Sequence, residues 1–178
     1  MSEPLRVLFV CTANISRSPF LELSARRLAG DATDVVFASA GTHGFDAHAM
    51  DEGMVPLLPS EVSSDHASRR LTREILAEAD LVLTAEARHR TFILEDFPEH
   101  FRKVFTVGQF AATVAQHPGL RGRELVAAAA AKRAPMRAED DIADPYRRGE
   151  SASRTAAETM SRMLDVIVPR LTAGGSDV

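Results

Sequence analysis

The chain has little that could hold a metal, a disulfide or nucleic acid. Its 178 residues include a single cysteine, Cys11, and its net charge is only −4. One cysteine excludes an internal disulfide framework and any zinc site built from several thiolates. The small negative charge excludes a general nucleic-acid binder, which needs a basic face to displace counterions. A local basic pocket for one anion is still compatible with it. Long apolar runs are also missing: residues 5–10, interrupted by Arg6, fall far short of a membrane span. No secretory apolar segment precedes a small-residue cleavage site. The expectation is a cytoplasmic protein without membrane attachment, in a compartment where a free thiol persists. The GxGxxG dinucleotide pattern and the lysine of a nucleotide-binding loop are absent. There is no linker, repeat or low-complexity stretch beyond the alanine run at 127–131.

What is present is an ordinary globular composition, 45% hydrophobic and 26% charged, enough for one domain with a substantial core over residues 1–178. The apolar run at 5–10 has the pattern of a strand buried on both faces. A helix follows over 19–29, with Leu21, Ala25 and Leu28 on one face and Gly30 as its stop. Strands are expected at 35–40, 80–84 and 103–107. Helices are expected within 51–58, despite Pro56 and Pro59, and at 72–78 and 86–95. From 107 onward the chain reads as helical and polar, through the alanine run, whose composition favours helix. The last helix spans 154–168 with Met160, Leu164 and Ile167 as its core stripe, and residues 173–178 form a frayed tail. This alternation predicts an α/β fold: three layers, with helices on both faces of a four-stranded, mainly parallel sheet. In such sheets ligands bind outside the carboxyl ends of the strands, and Cys11 stands at one of them.

Residues 7–20 read VLFVCTANISRSPF. Between Cys11 and Arg17 lie Thr12, Ala13, Asn14, Ile15 and Ser16, a length that can wrap into a cradle of inward N–H groups at the head of the next helix. Such a cradle binds a tetrahedral oxyanion such as phosphate. Arg17 can close it with two parallel hydrogen bonds, a geometry lysine lacks. The same field favours thiolate over thiol at Cys11, and the Ser18 hydroxyl can steady the sulfur. Taken singly, each feature has a plainer reading: a buried small hydrophobe for Cys11, a surface position for Arg17, an N-cap with proline at the first helical position for Ser18 and Pro19. Their joint spacing at a strand's carboxyl end favours chemistry.

The stretch VCTANISRSP resembles the Cys-x5-Arg-Ser signature of the low-molecular-weight protein tyrosine phosphatases, bacterial-type members included. The likeness continues through SAGT at 39–42, HASRRLT at 66–72, ADLVLT at 79–84 and DPYRRG at 144–149, in the family's order. The resemblance implies a four-stranded parallel sheet, a phosphate loop after its first strand, and no metal or cofactor. Its implied site consists of Cys11 as nucleophile, Arg17 as phosphate clamp and Asp144 as general acid. Thr12, Ala13, Asn14, Ile15, Ser16 and Ser18 would surround the phosphate. Tyr146 would stack on an aromatic substrate ring, facing His43 or Phe45. A supporting network would comprise Asn14, Ser18, Ser39 and His66. Asparagine tolerates the positive φ that a tight loop can need.

Three departures stand out. Ala13 replaces a common glycine, and its methyl would strain the loop if that position needs positive φ. Ser16 replaces a second cysteine, so an oxidised Cys11 has no disulfide partner within the chain and is open to over-oxidation. Residues 83–90 read LTAEARHR, without the methionine that relatives often carry after the strand. The region 111–142 is also longer than usual.

The expected activity is hydrolysis of a phosphotyrosine protein or a small aryl phosphate through a phosphocysteine. A phosphoarginine-hydrolysing branch carries threonine where this chain has Ile15, which favours phosphotyrosine. Two other readings stay open: an arsenate reductase that uses a small cellular thiol, and a non-catalytic phosphate or phosphopeptide reader. Arg147 and Arg148 are either contacts for acidic residues flanking a phosphotyrosine or a solvated pair.

Overall fold

The computed structural model describes residues 2–172, so the tail expected to fray lies outside the described residues. Four strands, β1 (Leu5–Cys11), β2 (Val35–Gly41), β3 (Leu81–Thr84) and β4 (Val104–Thr106), form one parallel sheet in the order β2-β1-β3-β4. Among the described residues six helices connect and cover them: α1 (Arg17–Ala29), α2 (Arg73–Glu78), α3 (Ala87–Asp96), α4 (Val107–Ala115), α5 (Gly122–Ala131) and α6 (Glu150–Leu171). The register sets Cys11 against Gly41 and Val10 against Thr84, so the carboxyl ends of β1, β2 and β3 meet at one edge.

The two-residue period of β1 divides its side chains between two apolar layers. Leu5, Val7, Phe9 and Cys11 join Leu81, Leu83 and Phe105 in the layer covered by α1, α4, α5 and α6. Leu8 and Val10 join Val82, Val104 and Leu76 and Ile93 of α2 and α3 on the other face. That double burial is why β1 is almost continuously apolar. Among the described residues no helix is long and apolar enough to cross a membrane.

Several expected elements differ. Residues 51–58 hold only a 3-10 turn at Val55–Leu57. Pro56 supplies no N–H, and Pro59 forces Leu58 into an extended conformation (φ −60°, ψ 148°). α1 begins at Arg17, so Ser18 and Pro19 lie inside its first turn and the N-cap is Ser16. Leu28 is 46% exposed because α1 is buried only through Ala25 and its last turn emerges from the core. The stretch after β4 is not polar: Val107, Phe110 and Val114 of α4 are fully packed. In α5, Leu125 and Ala129 are buried likewise. α6 is longer than its stripe suggested and carries Pro169 within its last turn, where the missing N–H removes one i→i−4 bond. Met160, Leu164 and Ile167 do form its core face.

Candidate active site

Cys11 ends β1, and the next five residues curl directly into α1. The curl is held against the end of β2, where the N–H of Thr42 donates to the Cys11 carbonyl (2.9 Å) and that of His43 to the Thr12 carbonyl (2.8 Å). Gly41 makes this approach possible, since a Cβ there would lie 2.6 Å from the Thr12 carbonyl oxygen. The residue of the curl in the left-handed region is Asn14, at φ 57°; Ala13 has no positive φ. The strain anticipated at Ala13 therefore does not arise. Its methyl packs instead beside Gly44, where an added Cβ would lie 3.3 Å from it.

Asn14, Ser18, Ser39 and His66, the residues expected to support the loop, are joined by hydrogen bonds. Asn14 Nδ2 donates to Ser18 Oγ and Ser39 Oγ (both 2.8 Å), and its Oδ1 accepts from the Arg69 N–H (3.0 Å). His66 Nε2 lies 2.8 Å from the Asn14 carbonyl oxygen. Ser18 Oγ stands 3.0 Å from Cys11 Sγ; a thiolate has no proton to give, so in that state the serine donates. Behind Ser39 is Glu22, which accepts its hydroxyl proton and pairs with Arg26. Glu22 went unnamed in the sequence reading.

Replacing Asn14 with alanine removes these bonds and puts a non-glycine Cβ without local hydrogen bonding at positive φ. A destabilisation of roughly 2–4 kcal/mol is expected from the two effects together, read by urea unfolding. A change below about 0.5 kcal/mol would show that the network does not hold the loop.

Arg17 is 1% exposed, which rules out the surface reading. Its Nη1 donates to the Ile142 carbonyl (2.7 Å) and meets Glu86 Oε1 at 3.2 Å, while Nη2 lies 3.6 Å from Asp144 Oδ2. Its Nε is buried and has no hydrogen-bond partner among the described residues. At the other end of the loop, Thr12 Oγ1 meets His89 Nε2 at 2.9 Å. Ser16 does not cap its own helix; its hydroxyl donates to Asp51 Oδ2 (2.9 Å), and the Asp51 N–H donates to the Ile15 carbonyl (2.7 Å). Among the described residues no side chain caps the head of α1, which keeps those N–H groups available to an anion.

Asp144 is brought to this site from a distant loop. Its Oδ1 accepts from the Tyr146 N–H (3.1 Å), and Tyr146 is 39% exposed with the Arg147 guanidinium 5.1 Å over its ring. Of the two proposed facing residues, Phe45 is 77% exposed, and His43 bonds to Thr42 and packs on Phe92. Arg147 and Arg148 are both exposed.

Two further groups missed in sequence sit at the head of α3. Glu86 keeps its carboxyl below the usual range: burial pushes it up, but the Arg88 hydrogen bond and the charges of Arg17 and Arg88 outweigh that. His89 is pushed down to about 4, first by burial and then by the Arg17 charge. An exposed imidazole takes up its proton near 6.5. Between those values the unfolded chain binds more protons, so His89 makes stability fall as pH drops from about 6.5 to about 4. Both residues follow the carboxyl end of β3, where ligands gather in such sheets; that position was the available signal.

Comparison with known proteins shows the family of the chain. The family described as low molecular weight phosphotyrosine protein phosphatase matches residues 6–120, and the chain belongs to it. Etp of Escherichia coli, a low molecular weight protein-tyrosine-phosphatase, is 36% identical over 107 residues, covering 58% of this chain and 70% of its own. EpsP of Ralstonia nicotianae, a probable enzyme of the same kind, is 26% identical over 95% of this chain and 97% of its own. Among solved structures, the YwlE arginine phosphatase of Geobacillus stearothermophilus aligns over 94% of this chain and 93% of its own, with a TM-score of 0.74 and 27% identity. The protein is thus a cysteine-dependent phosphatase of the low-molecular-weight class.

Proposed function

We propose that the protein hydrolyses phosphotyrosine in proteins by a two-step displacement at Cys11. The observation that carries this is the state of Arg17. Its Nη1 is fixed by Ile142 and Glu86, while Nε is buried without a partner among the described residues and Nη2 lies 3.6 Å from Asp144. A buried unpaired donor is costly. Nε and Nη2 together form the fork that takes two oxygens of a phosphoryl group. With those oxygens on the fork and the remaining charge on loop amides, the Cys11 thiolate attacks phosphorus in line. Asp144 protonates the departing phenolate, then draws a proton from the water that hydrolyses the phosphocysteine. Ser18, 3.0 Å from the sulfur, stabilises it as nucleophile and again as leaving group. The chemistry asks for no metal, and turnover in the presence of EDTA is expected to equal turnover without it.

A phosphoarginine substrate is the second reading, favoured by the likeness to the YwlE arginine phosphatase. Ile15, which stands where the phosphoarginine branch has threonine, and the exposed Tyr146 at the mouth favour an aryl ring. Phosphotyrosine and phosphoarginine forms of one peptide separate the two. The expected result is kcat/KM at least about 10-fold higher for phosphotyrosine, a difference of about 1.4 kcal/mol. A preference of that size for phosphoarginine would reverse the assignment.

A further inference from the structure

We infer that His89 is a positioning residue for the reaction: in its neutral form, with the proton on Nε2, it holds Thr12 and so fixes the start of the phosphate loop. This rests on the phosphatase reading above. The tautomer follows from the bonds at the two ring nitrogens. The backbone N–H of Glu86 donates to Nδ1 (3.1 Å), so Nδ1 is the acceptor. In a neutral imidazole the proton is then on Nε2, which faces Thr12 Oγ1 at 2.9 Å. The ring is 2% exposed, so its bonds are to protein groups rather than to bulk water.

The same turn reaches the other end of the loop through Glu86 and Arg17. One helical turn therefore grips the first residue after the nucleophile and the arginine that closes the cradle. It is itself anchored by Ile93 in the core and by Arg90, whose Nε donates to the Val104 carbonyl. The charged groups facing the ring are Arg17 from α1, Glu86 and Arg88 from its own turn, and Asp144 from the loop before α6. A protonated ring would turn a second N–H against the Glu86 N–H, so the cation is not accommodated, in accord with the depressed pKa.

Amide donors of the cradle act only where the phosphoryl oxygens arrive, and a shift of about 1 Å costs roughly 100-fold in rate. His89→Ala is therefore expected to lower kcat on para-nitrophenyl phosphate by about 10- to 100-fold, with a smaller change in KM because Arg17 still binds the phosphate. Thr12→Val removes the acceptor and is expected to give a similar loss. The double variant should lose no more than the larger single loss, because both remove one bond. His89→Gln, which keeps an N–H donor near the Nε2 position and does not titrate, should recover most of what alanine loses. A kcat for His89→Ala within about 2-fold of wild type would overturn the inference, as would losses that multiply in the double variant. So would a glutamine variant as impaired as the alanine one. A readout that needs no turnover separates this from the phosphatase reading: urea unfolding of wild type should weaken more steeply between pH 6.5 and 4 than that of His89→Gln. Equal slopes would contradict the neutral tautomer even if the enzyme is active; inactive wild type with unequal slopes would sink the phosphatase reading and reduce His89 to a structural support of Thr12.

Discussion

Cys11→Ser is expected to abolish turnover while leaving the fold intact. The exchange is nearly isosteric, and the hydroxyl keeps its place beside Ser18 Oγ at the end of β1. What changes is the nucleophile: an alcohol is a much weaker one than sulfur and needs a base to take its proton before it can attack. With no other cysteine in the chain, no second thiol can substitute. Loss of the nucleophile in enzymes that work through a covalent intermediate costs on the order of 10⁴-fold or more in kcat. Hydrolysis of para-nitrophenyl phosphate, with unfolding curves as a control, checks this. Residual activity within about 10-fold of wild type would mean that the phosphoryl group never passes through Cys11.

The second large effect is at Asp144, and its signature is selectivity among leaving groups. Asp144→Asn keeps the oxygen that accepts the Tyr146 N–H, so the loop geometry is retained and only the acid is removed. A general acid contributes about 10²–10⁴-fold, and most for leaving groups that cannot depart as free phenolates. A series of aryl phosphates should therefore show the largest losses for the most basic phenols and the smallest for nitrophenol. The contact of Asp144 with Arg17 Nη2 at 3.6 Å makes an alternative explicit. If Asp144 served only to hold the arginine, the loss would be the same across the series.

Much of this site was legible because its parts are local. A strand, a five-residue curl and a helix head are contiguous, and apolar continuity, a thiol and an arginine mark them directly. Asp144 and the supporting residues Ser39 and His66 became legible only through resemblance, since an aspartate before proline is an ordinary turn. The groups that escaped notice are those whose meaning depends on remote partners. Glu86 at the head of a helix is what the helix dipole favours anywhere; only the fold puts it 3.2 Å from Arg17. Asp51 looked like part of a helix, whereas Pro56 and Pro59 hold that segment as a loop that ties Ser16 and Ile15. The acceptor for Arg17 Nη1 is a backbone carbonyl, at Ile142, which no side-chain pattern can reveal. In the fold, the same distinction holds. β1 stood out as an unbroken apolar run and α6 by its helical periodicity, while the three-residue strand β4 runs straight into α4, whose alanine, threonine and glutamine content disguised a buried helix.

The central claim, a phosphoryl group carried on Cys11, is tested most directly by trapping it. In Asp144→Asn with para-nitrophenyl phosphate, the good leaving group lets the first step proceed while the missing base slows hydrolysis, so the intermediate accumulates. Rapid quenching in denaturant, digestion and mass spectrometry of the peptide that contains Cys11 should find a phosphate on that residue, accompanied by a burst of nitrophenol. Turnover without a burst, with the Cys11 peptide unmodified at every time point, would contradict the account.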